Sequence, residues 1–236
     1  ACGHDMHMTT LICVARRMVE LKDEWSGTLM LVAQPAEEAG GGALGMVADD
    51  IYGQVGRPDF ALALHVIAKY PAGKIAFSDG LMYSSADSVK ITVRGVATHG
   101  ASPQLGRDPV YIGSLIVVAL QGIVTREVSP IEPALITVGA FRGGSAPNVI
   151  ADNARLDITV RANTEKTRYQ LLDSIKRVAE NTAQAAGVPD DLLPIVEVLS
   201  EGAPTTTNDA ALARRVREAM LGGSEPGGDE PGGIDA

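Results

Sequence analysis

The sequence predicts an α/β protein: a partial α/β layer with a mostly parallel sheet, plus an inserted α+β domain of ferredoxin-like order. Three observations predict it. Early in the chain, short continuous apolar runs alternate with helical periodicity, as strands covered on both faces do. From Ser88 on, apolar and polar residues alternate as in half-exposed strands, and the element order becomes β-α-β-β-α-β. Hydrophobic residues make up 45% and charged residues 21% of the 236, a globular balance that excludes disorder of the whole chain.

Taken in order, Met8, Leu11, Ile12, Ala15, Met18 and Val19 recur at helical spacing, so a helix is expected over Met8–Leu21. Asp5 is its expected N-cap, and Lys22-Asp23-Glu24 with Ser26-Gly27 ends it. Thr28–Ala33 reads as a buried strand, followed by the loop Gln34–Gly42 and a short helix over Ala43–Asp50. Phe60–Val66 is a second buried strand and Lys74–Phe77 a third. Ser88–Val93 opens the second pattern, and a loop through Thr98-His99-Gly100-Ala101 leads to a helix over Asp108–Arg126. Strands are expected at Leu135–Phe141 and Ala154–Arg161, then a helix over Thr167–Ala186 and a strand at Ile195–Leu199. Asn208 is the expected cap of a final helix over Asp209–Met220. The repeated Glu-Pro-Gly-Gly of the last residues offers no apolar anchor, so 222–236 is expected to be a disordered Gly/Pro/acidic tail.

Composition also narrows function. The net charge of −9, with no basic stripe, argues against a nucleic-acid partner. The longest apolar run, Ile112–Val124, is interrupted by Gly113, Ser114, Gln121 and Gly122, which is too short and polar to span a bilayer; no membrane partner is expected. No secretory signal opens the chain. Cys2 and Cys13 form no disulfide framework and suit a reducing cytoplasm, or a thiolate that serves as a ligand.

Three short segments concentrate the reactive groups. Cys2 and His4 precede a helix, Glu37-Glu38 follows a strand, and His65 ends another. Open α/β sheets gather ligand-binding groups at the carboxyl ends of their strands. A thiolate, imidazoles and a carboxylate suit a borderline-soft divalent ion such as zinc. Adjacent carboxylates repel unless a cation or a shared proton relieves them, so one Glu on metal and one free for proton transfer is a natural division. Each signal has an ordinary structural reading as well. Cys2 can be a small hydrophobe, His65 a satisfied core residue, and Glu37-Glu38 a solvated pair. The pair, however, lies between Pro35 and a triple glycine rather than on a helix face.

Ala1-Cys2-Gly3-His4-Asp5, Gln34-Pro35-Ala36-Glu37-Glu38 with Gly41-Gly42-Ala43, and Leu64-His65-Val66 resemble a dinuclear-metal amidohydrolase and metallopeptidase family. It is the family of hippurate hydrolases, N-acyl-amino-acid aminoacylases and plant auxin-conjugate (IAA-amino acid) hydrolases. Thr98-His99-Gly100-Ala101 and Arg142-Gly143-Gly144-x-Ala146-x-Asn148-Val149-Ile150 match its lid domain, and the resemblance runs from residue 1 to about 220.

The resemblance implies a zinc-exopeptidase-like catalytic layer with an inserted ferredoxin-like lid and dimerisation domain. It divides the chain into 1–83 (metal-binding layer), 84–206 (lid), and 207–221 (return to the layer). It implies two divalent ions per subunit, zinc or manganese, with cobalt or nickel also admissible. Cys2 would bridge them, with His4, Glu38 and His65 as terminal ligands. Glu37 would be the general base that activates the bridging water and later protonates the leaving amine. His99 would reach from the lid into a partner subunit's site to stabilise the oxyanion, and Asn148 would help hold the substrate carboxylate. The expected partners are an N-acyl amino acid substrate and a second copy of the chain. Both ends read as internal to a longer protein: the family's first half, with an acidic residue orienting a ligand, and its last His ligand have no counterpart here. A rival reading therefore stands beside the hydrolase, that of a catalytically inactive fragment acting only in dimerisation or binding.

Overall fold

Two caps start the helices on which most of the core rests. The Asp108 carboxylate accepts from the backbone N–H groups of Val110 at 2.9 Å and Tyr111 at 3.3 Å, with Pro109 in the first turn. The Thr164 hydroxyl accepts from Thr167 N at 3.2 Å. The computed structural model describes residues 2–38, 41–199 and 202–221, and the chain divides into two compact units, Ala1–Ile75 and Ala76–Ala236.

In the second unit the chain forms β1 (Leu81–Tyr83), β2 (Asp87–Arg94), β3 (Thr98–His99), α4 (Pro109–Glu127) and β4 (Ala134–Gly143). It continues through β5 (Val149–Ile150), β6 (Asn153–Ala162), α5 (Glu165–Ala185), β7 (Ile195–Val198), β8 (Thr206–Thr207) and α6 (Ala210–Leu221). The four-stranded sheet has the order β4-β6-β2-β7, and every neighbouring pair is antiparallel. With α4 and α5 as its helices this is the expected ferredoxin-like arrangement. Register runs Asp87↔Val160 to Arg94↔Asn153 between β2 and β6. One irregularity between Val138 and Ala140 breaks the β4–β6 ladder.

Alternation decides which face is covered. Val89, Ile91 and Val93 of β2 and Leu156, Ile158 and Val160 of β6 point to one side. There they meet Ile112, Ile116, Leu120 and Ile123 of α4, and Leu171 and Ile175 of α5. Each such side chain contributes roughly 1.5–3 kcal/mol when fully buried. Among the described residues α4 alone is long and apolar enough to cross a membrane by length and composition. Its apolar side instead lies in this core.

A buried ion pair ties sheet to helix. Arg168 donates from Nε and Nη2 to Asp87 at 2.8 and 2.7 Å, and from Nη1 to Glu165 at 3.0 Å. The hydrogen bonds it donates to Asp87 hold the Arg168 guanidinium well above its usual pKa against the effect of burial. At the far end of the unit, Asn208 does not cap α6 as expected. Asp209 Oδ1 accepts from Leu212 N at 2.8 Å, while the Asn208 amide donates to the Ser78 carbonyl at 2.9 Å.

The first unit contains α1 (His4–Glu20), α2 (Gly42–Ala48) and α3 (Ile51–Val55). α1 begins before Met8 because Gly3, not Asp5, is the N-cap; Asp5 sits in the first turn, where its charge suits the helix dipole. The expected strands Thr28–Ala33 and Phe60–Val66 and the expected parallel sheet have no counterpart among the described residues, and at Lys74–Phe77 only a single bridge at Phe77 remains. The reason is hydrogen bonding: a run becomes a strand only beside a neighbour that takes its N–H and C=O groups. Leu62 stays 70% exposed, and no described residue of this unit is buried. The tail expected at 222–236 lies outside the described residues.

Candidate functional site

Gly3 fixes where the reactive helix begins. Its φ of 70° is a left-handed conformation natural to glycine, and a Cβ there would fall 2.4 Å from Val66 Cγ2. The Cys-Gly-His spacing thus lets α1 start against the residue that follows His65. The second segment is shaped by close approach as well. A Cβ on Gly42 would lie 1.7 Å from the Pro35 carbonyl oxygen, so the loop between them closes on its own backbone. Within that loop Ala36 adopts φ 49°, a left-handed conformation that costs a non-glycine residue on the order of 1–2 kcal/mol. Strain of this kind, immediately before Glu37-Glu38, accumulates where a side chain must be aimed.

These devices bring the predicted ligands together. Ligand atoms of Cys2, His4 and His65 lie within 4.8 Å of one another, and so do those of His4, Glu37 and Glu38. His4 belongs to both groups. Its Nε2 lies 3.2 Å from Glu37 Oε2 and 3.8 Å from Glu38 Oε1. Cys2 is exposed, which removes the reading of it as a small buried hydrophobe; Cys13 is exposed too. His65 Nδ1 and the Val66 carbonyl are 2.7 Å apart. A carbonyl only accepts, so Nδ1 carries the proton and the lone pair is on Nε2.

This donor set fits divalent metal. It offers one thiolate, two imidazoles and two carboxylates, reachable from solvent and drawn together in a way that leaves the carboxylates repelling each other without a cation.

One residue of the cluster escaped the sequence reading. His7, one helical turn after His4, has its ring centroid 5.3 Å from that of His4 and 4.5 Å from that of His65. Desolvation by its partial cover, then the neighbouring His65 and His4, holds its pKa below the usual histidine value against the pull of Glu37 and Asp5. The signal available in the sequence was the His-x-x-His spacing, which places both rings on one helix face.

In the second unit, His99 ends β3 and Asn148 occupies the turn just before β5. β3 pairs with β5 in the register Thr98↔Ile150 and His99↔Val149. Gly100 N donates to the Asn148 carbonyl at 2.7 Å, and Ala101 N donates to His99 Nδ1 at 3.1 Å. The latter contact makes Nδ1 an acceptor and puts the proton of the neutral ring on Nε2. Both His99 and Asn148 are exposed.

The family model for peptidases M20/M25/M40 matches residues 1–236. The chain belongs to this peptidase family. It is 38% identical over 191 residues to an N-acetyldiaminopimelate deacetylase of Geobacillus sp. (strain WCH70), covering 80% of this chain and 48% of that protein. It is 37% identical over 185 residues to a hippurate hydrolase of Campylobacter jejuni, covering 78% and 48%. A solved Bacillus subtilis structure, described as a dinuclear metal binding peptidase from the M20 family, superposes with a TM-score of 0.71 at 25% identity. That match covers 99% of this chain and 58% of the other. The chain spans about half the length of the curated relatives it matches.

Proposed function

We propose that this M20-family chain serves a metal-dependent hydrolysis of the amide bond in N-acyl amino acids. The observation that carries the reading is the position of His4, shared by a thiolate–imidazole group and a carboxylate pair. The names of the relatives support it, since an N-acetyldiaminopimelate deacetylase and a hippurate hydrolase both act on acylated amino acids.

Cys2, His4, Glu38 and His65 would hold two divalent ions, zinc or manganese, with cobalt or nickel as substitutes. Bound there, such ions supply Lewis acidity toward the amide carbonyl and lower the pKa of water. Glu37 takes the proton of the attacking water and returns it to the leaving amine. His99, with its proton on Nε2, donates to the oxyanion that develops on the carbonyl oxygen. The Asn148 side-chain amide donates to the substrate carboxylate.

Assembly follows the same reading. β4 is a ten-residue strand at one edge of its sheet, and a long edge is open to pairing with a second copy. Tyr111, Leu115 and Val118 line an exposed stripe of the adjoining α4. We assign these to a homodimer through the lid, which would let His99 serve the partner's site. The cysteines, both free, suit a reducing compartment such as the cytoplasm.

The test is metal content together with turnover. Purified protein should carry about two divalent ions per chain and release free amino acid from hippurate or an N-acetyl amino acid. A metal-free protein that forms dimers yet releases nothing would establish the dimerisation or binding module instead.

A further inference from the structure

We propose that His7 is a positioning residue, which sets where His65 stands relative to His4 and does not itself hold metal; this rests on the metal reading above. His7 lies one turn along α1 from His4, so its ring shares that face of the helix. Its Nε2 accepts the backbone N–H of Val66 at 3.0 Å. Val66 also provides the carbonyl that orients the His65 ring, at 2.7 Å from Nδ1. One residue is thus gripped at its N–H by His7 and in turn fixes His65 at its C=O.

The chemistry of imidazole makes this exclusive. A backbone N–H only donates, so His7 Nε2 must present its lone pair, and in the neutral ring the proton is on Nδ1. A neutral imidazole has a single in-plane lone pair, and here it is engaged. His7 accordingly appears in neither group of convergent ligand atoms, although its ring is closer to that of His65 than the His4 ring is, at 4.5 against 6.1 Å. Val66 also lies close to Gly3, at the other end of the same helical turn, where an added Cβ would have no room beside Val66 Cγ2. The start of α1 and the segment carrying His65 are therefore bonded at His7 and closely packed at Gly3. Partners that orient a ligand in this way commonly affect metal affinity by about 10–100-fold.

The full chain and two variants, His7→Ala and His7→Gln, separate the possibilities. Glutamine keeps an acceptor oxygen at similar reach but cannot replace imidazole as a ligand. Two readouts are taken. Cobalt(II) or zinc affinity and stoichiometry come from competition with a chelator. Hydrogen exchange at the Val66 amide is measured without metal.

The expected result is a roughly tenfold or greater loss of affinity in His7→Ala at unchanged stoichiometry, with recovery in His7→Gln to within about threefold. The Val66 amide should exchange faster in His7→Ala and regain protection in His7→Gln. Loss of an ion in both variants would make His7 a ligand and overturn the proposal. So would wild-type affinity in His7→Ala, or a Val66 amide whose exchange is the same in all three chains. Failure of the unsubstituted chain to bind metal would remove the functional reading alone. The exchange measurement would then decide the positioning role.

Discussion

His4 Nε2 lies 3.2 Å from Glu37 Oε2, and this contact joins the first turn of α1 to the strained loop that follows Ala36. The neighbouring Glu38 is farther, at 3.8 Å. If Glu38 holds metal and Glu37 moves the proton, Glu37→Gln keeps metal and KM close to normal while kcat falls about 100-fold or more. Normal turnover by this variant would transfer the proton-moving role to Glu38.

Cys2 and Cys13 are both exposed, but only Cys2 shares a cluster with histidines. Cys2→Ala should lower metal content and activity together. Cys13→Ala, at an exposed helix position, should change stability by no more than about 0.5 kcal/mol and leave metal content unchanged. Elemental analysis of the two variants side by side decides, and full metal occupancy in Cys2→Ala would end the bridging assignment.

His99 pairs with Val149 on a two-stranded ribbon beside the Asn148 carbonyl. If it serves the partner's site, His99→Ala and Glu37→Gln are each nearly inactive alone. Mixed dimers of the two contain one site with both residues intact, so mixing should restore activity. Heterodimers demonstrated by mass but showing no recovery would confine catalysis to single subunits.

Asp87 is almost wholly enclosed, at 1% side-chain exposure, and Arg168 depends on it for two of its three charge-assisted bonds. Asp87→Ala leaves a guanidinium desolvated without its main partner, and destabilisation of about 3–5 kcal/mol is expected. Chemical denaturation measures it. A loss under about 1 kcal/mol would show that Glu165 and solvent suffice.

Glu127 clasps α4 to α5 by accepting from Arg177 at 2.6 Å and Ser174 at 2.8 Å. The Arg177 bond, with help from Ser174, holds its carboxyl below the usual value of 4.5. A carboxyl depressed on folding adds stability that is present above the unfolded pKa and disappears as pH falls through the folded one. Stability of the second unit should therefore drop below about pH 4.5 by an amount that Glu127→Gln reduces. Identical acid profiles for the two proteins would assign the acid loss to other carboxyls, such as Glu132 or Asp157.

What the sequence disclosed follows from how local each cause is. α4, α5 and the strands β2, β4, β6 and β7 each carry their own periodicity, and Asp108 announces its cap, so they are readable without neighbours. Thr28–Ala33 and Phe60–Val66 have the same apolar signature, yet a strand needs partners that no local pattern supplies. In the cluster, Cys2, His4, Glu37, Glu38 and His65 stand out because glycine and proline frame them. His7 does not, since its partner is the backbone N–H of Val66, a group every non-proline residue possesses. The Asp87–Arg168 pair was hidden for a related reason: its members are far apart in sequence and look like ordinary surface charges.

β1 and β8 pair with each other, and a bridge between Ala86 and Ala203 continues the contact toward the sheet. The polypeptide thus enters and leaves the ferredoxin-like body through one doorway. A body attached this way is a cassette: removing it would leave two chain ends near enough to rejoin with a turn of about two residues. Ancestral genes could gain or exchange such a piece by a single insertion. Rearrangement there would not have to disturb the order of the Cys2-x-His4, Glu37-Glu38 and His65 motifs that precede it.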